Sequence, residues 1–583
     1  MKDQDSGAGT VIGLHEVSEV ADHGHNLGEA YSPRMSSAVE PLRYPHFRWL
    51  WAGNIFSASG TFIQSVAGSW LMFELTESST WVGLMVASAT LPLLFFSLAA
   101  GALADMFDRA KLMLIAQGVM GGAAAAMALL TYFDLMTPGA LLALGLVLGT
   151  GLALNLPAWQ ALVPDLVPRG LVASAVALNS AAFNAARAIG PAIGGALVVA
   201  YGAEAGFAVN ALSYVAIIIA LIAIGPHLKN TSSQGPTSMR SAISIGIRFA
   251  RFTRAFRNLL ALVGFFAFNS AVVQAVLPVH TDYLGGSAAE FGLLYGAMGA
   301  GALTGAVVRP RINDWLDGSW IPYTITLFGG AGILLGLAPN VWVAGVAMFA
   351  AGLFWLLTLA TLNATAQLMS PPWIRGRAMS IYTLAFAGVL PLGSIASGFV
   401  ADLIGTPGSL TLFSSAAIVL GLSASRFQVP HVDDVVSPEF TETSPIEHAG
   451  SFEGGPVIVL NTWKIDEADF AEFTNMMNEV RLVRLSTGAY RWRLFHNTSD
   501  PTRITELMAL RSWEEHLAQH RRIDDSAAAL LRQARSFDRD GGPRTRHLIA
   551  IDTEHPPDFE TLVATHEELH RHDGSIPRSD QGV

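Results

Sequence analysis

The 583-residue sequence contains no cysteine, so neither disulfides nor thiolate metal sites can hold its fold. Charge is scarce as well: Asp, Glu, Lys and Arg make up 14% of the chain against 51% hydrophobic residues, and the mean hydropathy is +0.42. Soluble domains carry about 25% charged residues, so the composition points first to a membrane protein. The first ~40 residues lack the basic start, apolar stretch and small-residue cleavage site of a signal peptide. Residues 1–45 therefore read as a polar, disordered tail that stays in the cytoplasm. Positive charge is also missing overall. The net charge of −11 is carried by the tails and the C-terminal region, which excludes nucleic acid as the expected partner.

What is present falls into two unlike regions. Residues 46–430 hold only 16 Lys+Arg and 12 Asp+Glu, whereas the much shorter 451–583 holds 16 and 22. That contrast predicts an all-α membrane bundle followed by a water-soluble domain. A span needs about 20 apolar residues to cross ~30 Å of hydrocarbon. Twelve segments qualify: 47–73, 81–104, 112–133, 138–163, 171–200, 205–225, 258–281, 289–308, 321–338, 341–369, 378–403 and 408–426. They form two six-helix halves, 46–225 and 258–430, joined by a cytoplasmic linker at 226–257. Basic residues orient the bundle, because Lys and Arg in short loops stay in the cytoplasm. Fifteen of the 16 fall on one side, including Arg48, Arg169, Lys229 to Arg257, Arg309, Arg311 and Arg426, while loops such as 74–80 and 201–206 have none. Both termini are expected in the cytoplasm. The sixteenth, Arg187, lies inside the fifth span.

The halves repeat each other. Asn155, Gln160, Pro164, Arg169 and Gly170 recur in order as Asn363, Gln367, Pro371, Arg375 and Gly376. Parallel halves of this kind form a transporter architecture with the substrate path between them. Between the second and third spans stands GALADMFDRAKLM, with Gly101, Asp105, Arg109 and Lys111. Gly101 permits close helix approach, Asp105 can face the positive end of a neighbouring helix, and Arg109 can pair with carboxylates. With Arg375 and Arg377 in the second half, these are the gating candidates; the competing reading is a loop whose charges only fix orientation. In the fifth span, Gly190, Pro191, Gly194 and Gly195 loosen the backbone ladder and allow close crossing, and Pro391 and Gly393 in the eleventh span match them. A rocking hinge is expected there, against simple packing.

These motifs resemble the major facilitator superfamily. Gly101, Leu103, Asp105, Arg109 and Lys111 are similar to its signature between helices two and three, and AIGPAIGG is similar to the Gly-Pro motif of its antiporters. The opening FRWLWAGNIFSASGTFIQSVAGSWLMFELT and the paired Pro-x-x-Arg-Gly turns resemble the enterobactin-exporter and macrolide-efflux branch. The resemblance covers the whole membrane domain and implies export. Two departures stand out: the fourth span lacks an Arg near its start, and VVRPRINDWLDG keeps only a degraded copy of the first-half signature.

Arg187 is ~20 to 24 Å from the cytoplasmic face at 1.5 Å per residue. An ionisable group at that depth is a functional hypothesis by default, with an outward-reaching or structurally paired Arg as the alternative. Asn54, Gln64, Asn155, Gln160, Asn184, Asn363 and Gln367 are the further substrate-path candidates, each also able to serve as an interhelical hydrogen bond. Glu74, His280 and Asp282 are the candidates for coupling to protons, since desolvation raises a carboxyl pKa towards neutrality and an imidazole ordinarily titrates near it; the competing reading is wetted rim residues.

After a polar linker at 431–454, residues 455–555 read as strand, helix, strand, strand, helix, strand, a soluble α+β ferredoxin-like order. A polar tail covers 556–583. The domain resembles the dimeric α+β barrels related to antibiotic-biosynthesis monooxygenases, which implies sheet-to-sheet pairing into a dimer. His516 and His520 stand four apart on one helix, but EEHLAQH is not the zinc-protease order, and a solvated helix face is expected; no metal or cofactor is called for. Trp492, Trp513, Phe495 and Phe473 are expected in the core of the sheet face, with a pocket lining as the alternative. The resulting reading is a secondary active exporter of a small, partly hydrophobic metabolite, of siderophore, drug or antibiotic type, moved across the inner membrane by alternating access. The alternatives are a membrane-tethered enzyme and a sensor or scaffold that transports nothing.

Overall fold

Apolar runs with few charges leave the backbone no partner but itself in hydrocarbon, and helices result. The computed structural model describes residues 39–106, 108–162, 166–224, 239–315, 320–371, 373–427 and 456–551, with 554 and 558. The first half comprises α1 (Pro45–Thr76), α2 (Ser79–Met106), α3 (Arg109–Tyr132), α4 (Pro138–Leu162), α5 (Val172–Tyr201) and α6 (Ala203–Ile224). The second comprises α7 (Met239–Phe252), α8 (Arg254–Ser270), α9 (Val272–Ala275), α10 (Leu277–Tyr283), α11 (Ala288–Trp315), α12 (Ile321–Gly336), α13 (Val341–Leu368), α14 (Arg375–Ala387) and α15 (Leu390–Ser423). By length and composition, nine of the described helical stretches can cross a membrane. Ile321–Gly336 is a shorter apolar helix, and the ninth stretch, Arg375–Phe427, turns inside α15 at Gly405, whose φ of 80° favours glycine.

Local chemistry sets the ends. Asp108 accepts from the backbone of Ala110 and Lys111 at the start of α3, and Asn340 does the same for Trp342 and Val343 at the start of α13. The linker expected at 226–257 is not all connector: its second part is the amphipathic helix α7, followed after Thr253 by α8.

The C-terminal domain carries β1 (Val457–Lys464), α16 (Phe470–Thr487), β2 (Arg491–His496), β3 (Arg503–Leu510), α17 (Trp513–Arg521), α18 (Asp525–Arg535) and β4 (Arg544–Ile549). Its antiparallel sheet has the order β2-β3-β1-β4. β1 alternates buried and half-buried residues along its length, so one face meets α16 through Trp463, Phe473 and Met477 and meets α17 through Val457, Val459 and Trp513. The single second helix expected over the SWEEHLAQHRRIDDSAAALLRQA stretch is instead two, because Asp524 caps a fresh start by accepting from Ala527. The domain leans on the second half. α16 packs along α7, Arg254 pairs with Glu479 at 3.7 Å, and the Arg522 guanidinium lies 4.6 Å from the Trp373 ring centre. Burial, with Arg511 and Arg522 nearby, holds Arg248 of α7 below the usual guanidinium pKa.

Candidate functional site

The interface between the halves is built on close helix crossings. A Cβ on Gly299 of α11 would lie 2.5 Å from the Ala188 Cα of α5, so only glycine fits there. That crossing brings Arg187, the preceding residue, against the second half. Its guanidinium stands 4.3 Å from the ring centre of Trp355 on α13, and Tyr295 of α11 lies within electrostatic reach. The Tyr295 hydroxyl donates to Gln274 Oε1 at 3.2 Å. Among the described residues no carboxylate forms an ion pair with Arg187. An arginine facing aromatic rings and amides keeps free donors for an anion.

The other described path candidates are hydrogen-bonded within the bundle, and one pair of them to each other. Gln64 is buried, accepts from Asn210 and points its amide nitrogen at Met127 Sδ. Asn54 donates to Asn179 at 2.9 Å, Asn155 accepts from Gln117 at 3.2 Å, and Asn184 donates to the Ser180 carbonyl at 2.9 Å. Gln367 donates to Asn363 at 2.6 Å. The side chain of Gln160 and all of Pro164 lie outside the described residues. Glu74 accepts from Trp70 Nε1 at 2.7 Å, and the Trp70 ring stacks across the halves on Phe291. His280 is fully buried with both nitrogens engaged, Nε2 at 2.9 Å from the Leu335 carbonyl and Nδ1 at 3.0 Å from Thr406 Oγ1, while Asp282 is exposed. The side chains of Gly101, Asp105 and Arg109 lie outside the described set, Lys111 is exposed, Arg375 donates to the Ser370 carbonyl at 3.3 Å, and Arg377 packs beside Gly246 of α7. Gly190, Pro191, Gly194 and Gly195 are buried within an unbroken α5, whereas Pro391 and Gly393 stand just after the break between α14 and α15.

A residue that sequence reasoning missed closes the basic-poor end. The Asp402 carboxylate, from α15, accepts from Ser78 Oγ at 2.7 Å, from the backbone of Ser79 and Thr80 at 2.7 and 3.0 Å, and from Thr80 Oγ1 at 2.6 Å. A carboxylate of one half thus caps the N-terminus of α2 in the other. The signal was legible in part: an acid in a charge-poor half, matched by a Ser-Ser-Thr helix start in the other.

In the soluble domain the expectation of a solvated histidine face is corrected. His516 is 1% exposed, because α17 turns it inward onto Trp513 and β4, and its Nε2 is 3.0 Å from Nε2 of His547. His520 meets His516 edge to face, with ring centres 4.7 Å apart. Burial first, then the neighbouring cations and imidazoles, lowers the pKa of His516 to about 2 and of His520 to about 4. Among the described residues, no group of three or more His, Asp or Glu side chains is arranged to hold a metal ion. Phe473 and Trp513 are in the core and Trp492 is partly so, but Phe495 is 49% exposed.

Comparison with known proteins agrees with the architecture. The staphyloferrin A transporter of Staphylococcus aureus is 23% identical over 363 residues, 62% of this chain and 91% of that one. The multidrug efflux pump Tap of Mycobacterium tuberculosis is 26% identical over 412 residues, 66% of this chain and 93% of that one. Among solved structures, a bacterial homologue of the human lysosomal transporter Spinster, inward-facing and occupied, superposes with a TM-score of 0.56 at 13% identity, covering 68% of this chain and 99% of that one. The family model described as transmembrane secretion effector matches residues 36–555, nearly the whole chain, and the protein belongs to that family.

Proposed function

We propose that the chain is a secondary active exporter that carries a small, partly hydrophobic anion out of the cytoplasm by alternating access across the inner membrane. The observation that carries this reading is Arg187, a cation at the interface of the halves with an aromatic ring beside it and no ion-paired carboxylate among the described residues. A guanidinium in a water-poor cleft binds carboxylate or other acceptor oxygens in two-pronged fashion. The relatives named as a staphyloferrin A transporter and a multidrug efflux pump support export of a small molecule. In this reading the twelve helical segments are twelve spans with both termini cytoplasmic, and the end capped by Asp402 is the outer end. The conformation is then closed at its outer end. Glu74 and Asp282 are the candidate groups that exchange protons with water, and the C-terminal domain is read as ferredoxin-like, an assignment its strand order supports.

The test compares exported metabolites of a strain lacking the gene with the same strain complemented by wild type, Arg187→Lys or Arg187→Ala. Wild type restores export, Lys restores part of it, and Ala restores little. Equal export by all three would remove Arg187 from the path.

A further inference from the structure

A broad, open groove of about 530 Å³ lies where the C-terminal domain meets α7. Phe252, the last residue of α7, contributes to one side; Arg481 of α16, Tyr490, and Arg491, Trp492 and Arg493 of β2 are among the residues that line the other. Its volume lies in the range of small-molecule sites. Three guanidinium groups line it without a carboxylate among the lining residues, and none of the three has an ion-pair partner among the described residues. The nearest acid on the same helix, Glu479, is already paired with Arg254. Arginines gathered around Phe252 and Trp492 offer forked donors for oxyanion groups and flat apolar surfaces for the rest of a ligand. β2 is also an edge of the sheet.

We infer that this junction is a second ligand site, separate from the transport path, which takes a small polyanion carrying two or more carboxylate or phosphate groups. The walls come from different parts of the chain, Phe252 from the helix leading through Thr253 into α8 and the arginines from the soluble domain. A bound polyanion therefore ties the domain to the helix entering the membrane, and occupancy favours the docked arrangement. A free cytoplasmic metabolite and an anionic lipid headgroup share this chemistry.

The experiment uses the full-length protein in detergent, with citrate as the soluble probe and calorimetry as the readout. Citrate is expected to bind at millimolar concentration or below, and Arg481→Ala, Arg491→Ala and Arg493→Ala combined should weaken it at least about tenfold. The three side chains are exposed, so the fold should tolerate the change, and Lys at all three positions should restore part of the affinity. Phe252→Ala should weaken benzene-1,2,4-tricarboxylate more than it weakens citrate. In nanodiscs, block of citrate by cardiolipin, whose headgroup carries two phosphates, but not by phosphatidylcholine identifies the headgroup as the source; unaffected citrate binding identifies a soluble metabolite. Undetectable citrate binding in detergent, or an affinity unchanged by the triple substitution, overturns the inference. So does loss of citrate binding in Arg187→Ala alone, which would assign the probe to the transport path instead.

Discussion

The membrane bundle and the soluble domain each draw an arginine away from bulk water, and they treat it in opposite ways. Arg484 in α16 sits 3.3 Å from the carboxylate of fully buried Glu506, which also accepts from Asn461 at 2.7 Å and from Trp492 Nε1 at 2.8 Å. Every charge in that network has an answering group. Arg187 has Trp355 and, among the described residues, no paired acid. A guanidinium whose donors are used internally holds a core together, whereas one whose donors are spare can hold something that arrives and leaves.

The comparison breaks if the two sites respond alike to truncation. Arg484→Ala strands a buried carboxylate and should lower stability by about 3–5 kcal/mol, seen as a large drop in the melting temperature of the soluble domain. Arg187→Ala should leave melting close to wild type and reduce transport about tenfold or more, as expected when a charge-assisted contact to substrate is lost. If Arg187→Ala unfolds the protein instead, its role is structural and the distinction fails.

Asp402 sharpens the same contrast, because it is a charge engaged across the halves in one conformation. Capping a helix start contributes about 0.5–2 kcal/mol. Asp402→Ala should therefore weaken the closed end by a factor of about 5–30 if the contribution is 1–2 kcal/mol. Labelling of a cysteine introduced near Thr80 by a membrane-impermeant reagent measures this: faster labelling in the variant is expected, and an unchanged rate would show that the cap does not govern closure.

The buried imidazoles of the soluble domain give an effect of intermediate size with a definite sign. In the unfolded chain a histidine titrates near 6.5, whereas His516 and His520 in the fold stay neutral down to about 2 and about 4. Below about pH 6.5 the unfolded state takes up protons that the folded state does not, so stability falls as the pH drops and is fully present above that value. Melting of the domain should shift downward between about pH 6.5 and 4, and His516→Phe with His520→Leu should flatten that dependence. A flat wild-type profile would mean that the imidazoles are solvated after all.

How much of this was written in the sequence differs by kind of signal. Apolar length is one-dimensional, and nine of the described helical stretches are long and apolar enough to cross a membrane, whereas the segment expected at 258–281 is divided among three helices and that at 378–403 between two. The strands of the soluble domain followed from alternation. Arg187 stood out because a lone charge in an apolar helix is conspicuous without any neighbour being known. Its partner Trp355 did not, since an aromatic in an apolar helix looks the same whether it packs against lipid, core or cation. Asp402 was missed because its meaning depends on residues 322 to 324 positions away. The inward turn of His516 was missed for the same reason: β4 supplies the other side.

The smallest expected effect concerns the second arginine that faces a tryptophan. Arg522 lies 4.6 Å from the Trp373 ring centre, much as Arg187 lies 4.3 Å from Trp355. Arg522, however, also donates to Glu515 at 2.6 Å and to the Thr487 carbonyl at 2.8 Å, so it stays satisfied without the ring. Trp373→Leu then removes the attraction between cation and ring, about 0.5–1 kcal/mol, a two- to fivefold change in docking, along with an edge contact to Phe249. Trp373→Phe should keep most of it. Hydrogen–deuterium exchange of α7 and α16 reads the docking directly, and modestly faster exchange at both helices is the expected result. The parallel substitution Trp355→Leu should act more strongly, on transport, because Arg187 has no carboxylate to fall back on. If Trp373→Leu frees the soluble domain completely, the cation–ring contact is the main tie, and the packing of α16 on α7 with the Arg254–Glu479 pair counts for less than its extent suggests.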